Sequence, residues 1–441
     1  MRYVLGWTIV LLLAFGGAAP AAETSVNGRL TEIDGQRVLQ LWGDSYEMGF
    51  AHGYLVGDEI VDAMHEYILR LLPPALYELT YPLAAALFGL PPDYLDEAQG
   101  VIDGLIAAGV DPYIAELGRD LDVDDLILCN AVADIGAMAC SSQAAWDKAT
   151  AGDPRLGGET AVVRNLDWIL RGEDRFFLPV RTLVFVFSPS DPDLQPVVSV
   201  AFPGYFSCLS CLNEEGLTAV VNIAHNGTPL WQILVENYIP IGITLRETMH
   251  RRANSTDGDP LTPVIEAIDE SRRSGASAIT LAVPRDQAAG DPALVLEVDN
   301  RGVMRRLASD DPWMPPDIVL ATNTLLKMRL NHGCKRYGTM KDLIKLAGGR
   351  LTLDDMWKIE SAVIQDYFLS TTSQTIYFLP DRREIGVAFS DSAAYSPEKE
   401  PAVLTWDELL DSIPADDDSP DDQQNKKSEE DDQSESSGCG I

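Results

Sequence analysis

The chain is expected to be an α+β protein, two stacked antiparallel sheets covered by helices and preceded by a mostly helical segment. Three observations predict this. Before position 140, apolar residues recur at helical spacing in several stretches. From Cys140 onward the character changes to short strand-like runs. Those runs come as strands, then helices, then strands again, which suits two sheets covered by helices. At 441 residues, with 46% hydrophobic and 23% charged, the chain can bury a large core.

Residues 1–22 read as a signal peptide and not as part of the fold. Arg2 gives a short positive start, Val4 to Phe15 is an apolar run, and Ala19-Pro20-Ala21 and Pro20-Ala21-Ala22 offer small-residue cleavage sites. No later stretch approaches the roughly 20 apolar residues of a membrane span. The expected location is therefore secreted or periplasmic, with no integral span once the leader is removed.

Residues 23–139 form the mostly helical segment. A polar start leads to a strand-like run, Arg37 to Trp42, then to a helix from Ser45, its expected N-cap, to about Leu72. Further helical stretches run over 92–108, 111–117 and 123–137. From Cys140, strand-like runs fall at about 140–146, 160–166, 181–188, 196–202, 206–211 and 217–223. Helices follow at about 238–250 and 259–270, then strands at 278–284, 292–298 and 303–307. Another strand leads into Ala321-Thr322-Asn323, helices cover about 334–347 and 353–364, and a hairpin closes over 373–379 and 384–390. The second unit is thus 140–411. Residues 412–441 form an acidic tail too polar to offset its ordering entropy, and its Cys439 is a possible surface-attachment point.

The formal net charge of −35 argues against nucleic-acid binding and against docking on anionic lipid. Six cysteines are too few for a disulfide framework in a chain this long. Cys208 and Cys211 form a lone C-x-x-C on a strand-like run, where the two would fall on opposite faces. The pair reads as a structural bridge or as buried thiols rather than a redox centre or a zinc site. No His, Asp and Glu cluster has metal-ligand spacing, no glycine-rich phosphate loop is visible, and no cofactor is expected.

The residues that carry chemistry start at Ala139-Cys140-Ser141-Ser142. About two dozen residues on, a strand ends Arg164-Asn165-Leu166-Asp167-Trp168, and in a β-hairpin those positions return to the start of the first strand. A cation and a carboxylate then lie close to a cysteine.

Together these segments resemble the N-terminal-nucleophile (Ntn) cysteine hydrolases that act on linear amides: the penicillin-type acyltransferases, the acid ceramidase group and the bile-salt hydrolases. The resemblance extends over most of 36–400. Gly43-x-x-Tyr46-Glu47-x-Gly49-x-x-x-Gly53 is similar to the pro-segment of the penicillin acyltransferase family. The resemblance implies a four-layer αββα sandwich. It also implies self-cleavage between Ala139 and Cys140, which leaves residues 23–139 as an α subunit and a partner of the remainder.

The new α-amine of Cys140, with a pKa near 8, would then serve as base for its own thiol. This explains why none of the five histidines, at 52, 65, 225, 250 and 332, needs a triad-like setting; His225, three residues beyond Asn222, reads as a satisfied loop histidine sooner than as one lining a cleft. By the same resemblance Asp167 would hold the α-ammonium, Arg164 would favour the thiolate, and Asn222 and Asn323 would donate to the oxyanion. Arg336, thirteen residues after Asn323, would orient Asp167 or touch substrate. Cys211-Leu212-Asn213-Glu214-Glu215-Gly216-Leu217 is similar to the turn that aims the next strand at the site.

Two departures from the family stand out. The hairpin loop at 147–160 is enlarged, and the cysteines at 208 and 211 have no counterpart. The expected activity is cleavage or transfer of the acyl group of a small N-acyl amide. The alternatives are a peptidase or phospholipase-like relative, or a silent surface protein of the same fold. The acyl group, the amine, and hydrolase against transferase stay open.

Overall fold

The structure is a computed structural model that describes residues 25–135, 139–169, 175–224, 238–252, 258–273, 275–328, 333–367 and 370–414. The leader, His225, His332, Cys439 and nearly all of the acidic tail lie outside the described residues.

The described residues include eighteen strands: β1 Gly28–Ile33, β2 Gln36–Gly43, β3 Tyr113–Ile114, β4 Arg119–Asp120, β5 Ala139–Ala145, β6 Ala161–Trp168, β7 Leu183–Pro189, β8 Val197–Ala201, β9 Ser210–Asn213, β10 Thr218–Ala224, β11 Ala276–Ala282, β12 Ala293–Asp299, β13 Gly302–Arg306, β14 Ile318–Ala321, β15 Asp366–Tyr367, β16 Ser370–Leu379, β17 Glu384–Phe389 and β18 Ala402–Thr405. A nine-stranded sheet runs β1, β2, β7, β8, β9, β10, β11, β12, β13. Its pairs are antiparallel except β2 with β7. A seven-stranded antiparallel sheet runs β14, β5, β6, β16, β17, β18, with β15 on β16.

The two sheets stack face to face. Their shared apolar layer holds Ala144, Trp146 and Val162 of one sheet against Val184, Val198 and Val220 of the other. Among the described residues, five α-helices precede Cys140: α1 Ser45–Ala63, α2 Leu69–Leu71, α3 Pro74–Leu87, α4 Pro92–Ala107 and α5 Val123–Ile135. Of these, α1 packs on the outer face of the nine-stranded sheet, together with the helices Ile241–His250 and Thr262–Glu270. The helices Lys335–Leu346 and Leu353–Ser361 cover the seven-stranded sheet, packing Met340, Ile344 and Met356 on Ala145, Val163 and Tyr377. The layers run helix, sheet, sheet, helix. This is the αββα sandwich that the sequence resemblance implies.

Several local expectations change. Helix α1 is capped by Asp44 and not by Ser45: the Glu47 amide donates to Asp44 Oδ1 at 2.8 Å and the Asp44 amide donates to Glu47 Oε2 at 2.9 Å. A π-helical turn, Met64–Ile68, interrupts the long helix expected to Leu72. The helix expected over 111–117 is the β3–β4 hairpin. There Asp111 Oδ1 accepts from the Tyr113 amide at 3.0 Å, and Gly118 takes a φ of +70° that ends any helix. Helix α3 is masked in the sequence by Pro74, which is harmless in a first turn, and by Pro82 inside it.

Candidate active site

The site begins with strand register. In the β5–β6 pair Cys140 lies opposite Leu166, Ala139 opposite Asp167 and Ser142 opposite Arg164. Side chains alternate along a strand, so Cys140, Ser142, Arg164 and Leu166 face the nine-stranded sheet. Ser141, Gln143, Asn165 and Asp167 face the helices. On the other side of β5, Ala321 of β14 pairs with Ser142. Continuing that register sets Asn323 beside Cys140. The connection between β5 and β6 runs over residues 146–160 and starts at the buried Trp146.

A chain of hydrogen bonds joins the candidate residues. The Cys140 amide donates to Asn323 Oδ1 at 2.8 Å. The same oxygen accepts from Arg336 Nη2 at 2.5 Å, while Arg336 Nη1 donates to Asp167 Oδ2 at 2.7 Å. Thr372 Oγ1 donates to Asp167 Oδ1 at 2.6 Å. Arg336 thus orients Asp167. Cys140, Arg164, Asp167 and Asn222 are fully buried. Burial pushes the Asp167 carboxyl up to about 6 against the pull of Arg336 and Thr372. Burial also raises the Cys140 thiol, and the charge of Arg164 is the largest effect opposing it.

Both asparagine side-chain amides donate within the protein, where the expectation was of donors to an oxyanion. Asn323 turns its carbonyl oxygen to the Cys140 nitrogen, and its Nδ2 donates to the Ile223 carbonyl at 2.5 Å. Asn222 Nδ2 donates to Ser142 Oγ at 2.8 Å. The physical reason at Asn323 is that the Cys140 nitrogen is an amide donor and takes its acceptor end.

Arg164 crosses between the sheets. Its Nη1 donates to the Leu209 carbonyl at 3.1 Å and to the Ser210 hydroxyl, and its Nη2 donates to the Val221 carbonyl at 3.2 Å. Cys208 and Cys211 are disulfide-bonded. On a single strand the two would point to opposite faces, but β9 begins only at Ser210, so Cys208 lies outside it, between bends at Ser207 and Leu209, and reaches its partner. After Cys211, the turn to β10 closes as expected, with Gly216 at a φ of +86° and the Leu217 amide donating to Asn213 Oδ1 at 2.9 Å.

Glu360 is a group that sequence reasoning missed. It is fully buried beneath β5 and accepts from Ser141 Oγ at 2.6 Å and Gln143 Nε2 at 3.2 Å. Its main-chain carbonyl accepts from Asn165 Nδ2 at 2.9 Å. Burial holds its carboxyl up at about 7. The run of buried polar residues Ser141-Ser142-Gln143 was the available signal, since such groups require partners.

An apolar pocket reaches β6 at Trp168, two residues along the strand from Leu166, the register partner of Cys140, and Cys140 itself is not part of its wall. Its walls are Ile60, Met64 and Tyr67, Leu126 and Cys129 of α5, and Trp168, Phe202 and Tyr205 from beyond Cys140. Trp168 meets Phe202 edge-on with ring centroids 5.2 Å apart. The sequence signal for this pocket was slight, because its walls combine residues from before and after Cys140 that are far apart in the chain. Among the described residues no group of three His, Cys, Asp or Glu could hold a metal, and no helix is long and apolar enough to cross a membrane.

No family model matches the chain. An uncharacterized protein of Archaeoglobus fulgidus is 26% identical over 243 residues, 49% of this chain and 38% of that protein. The protein dcd1B of Dictyostelium discoideum is 25% identical over 257 residues, 51% of this chain and 46% of its own length. The chain therefore spans less than half the length of these curated relatives. Among solved structures it is similar to the Caenorhabditis elegans ortholog of N-acylethanolamine-hydrolyzing acid amidase, at 20% identity and a TM-score of 0.41, covering 60% of this chain and 99% of that one. It is similar also to penicillin V acylase from Agrobacterium tumefaciens, at 12% identity and a TM-score of 0.40, covering 61% and 87%. A conjugated bile acid hydrolase from Clostridium perfringens is 11% identical with a TM-score of 0.36, covering 61% and 92%.

Proposed function

We propose that this chain is a self-processing N-terminal-nucleophile cysteine amidohydrolase or acyltransferase that works on the acyl group of a linear amide through a thioester on Cys140. The observation that carries the reading is the unbroken set of bonds from the Cys140 nitrogen through Asn323 and Arg336 to Asp167 and Thr372. A buried cysteine with a purely structural role has no need for its main-chain nitrogen to be tied to a guanidinium and a carboxylate.

In the precursor the Cys140 thiol adds to the Ala139 carbonyl, the C–N bond breaks, and the thiol proton leaves with the new amine. Water then hydrolyses the thioester, freeing an Ala139 carboxylate and the Cys140 thiol. The α-amine takes the place of the amide that Asn323 now holds and becomes the base for the thiol. Arg336 keeps Asp167 ionised and aimed at the α-ammonium. Arg164 supplies positive charge on the thiol face. Asn222 and Asn323 donate to the oxyanion after releasing Ser142 and Ile223, and loss of either donor costs about 3 kcal/mol in the transition state.

The apolar pocket beside Trp168 suits an apolar acyl group, with the amine towards solvent. The exported location rests on the leader alone.

The test is to incubate the cleaved protein with N-acyl amides that vary in acyl length and in amine. Amine release together with an acyl adduct on the fragment beginning at Cys140, both abolished in Cys140→Ala, is the expected result. Release that survives Cys140→Ala would sink the proposal. Adding free amines separates the two chemistries, since a transferase forms a new amide and a hydrolase only the acid.

A further inference from the structure

We propose that the Cys208–Cys211 disulfide is a positioning clamp for Arg164, and through it sets the reactivity of the Cys140 thiol; this rests on the reading of Cys140 as the nucleophile. The bond joins two cysteines three apart in sequence. The two residues it encloses, Leu209 and Ser210, are the ones that receive Arg164 Nη1, at 3.1 Å for the Leu209 carbonyl and through the hydroxyl for Ser210. The Leu209 carbonyl also accepts from the Val221 amide at 2.9 Å, and the Val221 carbonyl takes Arg164 Nη2 at 3.2 Å. The guanidinium is therefore clasped between the bridged loop and β10.

The placement matters because of what Arg164 does not do. Among the described residues it forms no ion pair within 4 Å, although it is fully buried. Neutral oxygens hold it, so its charge is not cancelled at contact and acts on the neighbouring thiol. Its benefit to a thiolate depends on staying in place.

The rest of the loop is anchored elsewhere. Asn130 Oδ1 accepts from the Phe206 and Ser207 amides at 2.9 and 3.1 Å, and the Cys208 amide donates to the Gly242 carbonyl at 3.0 Å. Leu209 lies between these anchors and β9. A bond across it limits the torsions that aim its carbonyl.

The experiment compares wild type, Cys208→Ser/Cys211→Ser and Ser210→Ala for self-cleavage half-time and for the pH dependence of iodoacetamide labelling at Cys140, mapped by mass spectrometry. Mapping is needed because Cys129 and Cys334 are also free. The clamp predicts that the double variant keeps a cooperative thermal transition, cleaves at least tenfold more slowly, and shows a labelling midpoint moved to higher pH. Ser210→Ala keeps the bond and should show a smaller shift of the same sign. In an Arg164→Lys background the double substitution should add little, because both act through the same charge. Unchanged cleavage and an unchanged midpoint in the double variant overturn the inference. If that variant fails to fold, an unmoved midpoint in Ser210→Ala overturns it alone. If wild type itself does not self-cleave, the nucleophile reading fails, while the labelling midpoints still decide the clamp.

Discussion

Asn323 Oδ1 accepts from both the Cys140 amide and Arg336, and Arg336 in turn holds Asp167. Removing the guanidinium leaves a fully buried carboxylate without its cation, a change that costs about 3 kcal/mol or more. Arg336 is also the largest influence holding the Asp167 carboxyl down from the level that burial alone would set. Arg336→Ala should therefore slow self-cleavage and move its acid limb to higher pH, read from half-times between about pH 4 and 8. An unmoved limb contradicts the coupling. Glu360 gives a prediction about stability. Its carboxyl sits at about 7 in the folded chain, against an ordinary value of 4.5, so the folded state holds the proton more tightly. That contribution is complete below about pH 4.5 and is lost as pH rises through 7, at roughly 3 kcal/mol in total. The melting temperature of Glu360→Gln minus that of wild type should rise from pH 5 to pH 8. A flat difference refutes the assignment.

At the scale of elements, α1 and α4 meet backbone to backbone. A Cβ on Gly53 would lie 1.9 Å from the Val101 carbonyl oxygen, and one on Gly49 would lie 2.0 Å from that of Glu97. Gly100 and Gly104 answer from α4, at 2.3 Å from the Tyr46 and 2.0 Å from the Phe50 carbonyl oxygens. Gly53→Ala should thus destabilise the protein by about 3 kcal/mol in denaturant titration. Gly338→Ala, in a helix with open space around it, should be neutral or slightly stabilising. Equal effects at both sites would contradict this packing.

The same helices show what was legible in the sequence. The spacing of Gly43, Tyr46, Glu47, Gly49 and Gly53 was visible as a motif, but its cause was not, because Gly100 and Gly104 reach it only through the tertiary fold. Strands β5, β6 and β10 were placed within two residues by their strand-like runs, and a run leading into Ala321-Thr322-Asn323 marked β14, so that Cys140, Arg164, Asp167, Asn222 and Asn323 fell on or beside strands. Glu360 and the Leu209–Ser210 cradle were hidden, because no local pattern marks a helix residue that lands under a strand more than two hundred positions away.

For the whole molecule, the segment before Cys140 is woven into the remainder of the chain. Strand β2 pairs with β7 in the nine-stranded sheet. Glu97 of α4 and Arg246 form a buried ion pair, with Nη1 at 2.9 and 2.8 Å from the two carboxylate oxygens. Asn130 of α5 holds the loop that leads to the disulfide, and α1 and α5 line the apolar pocket. A cut at Ala139–Cys140 breaks none of these contacts. The two fragments should co-elute on native gel filtration and separate only in denaturant; loss of the smaller fragment under native conditions contradicts this.

On the proposed reading, Cys140 becomes an N-terminal nucleophile by self-cleavage. Intact-mass spectrometry under denaturing conditions, on the chain without its leader, tests it most directly. Wild type should yield two species whose masses place the break between Ala139 and Cys140, while Cys140→Ala stays whole. A wild-type chain that remains a single species on long incubation contradicts the account.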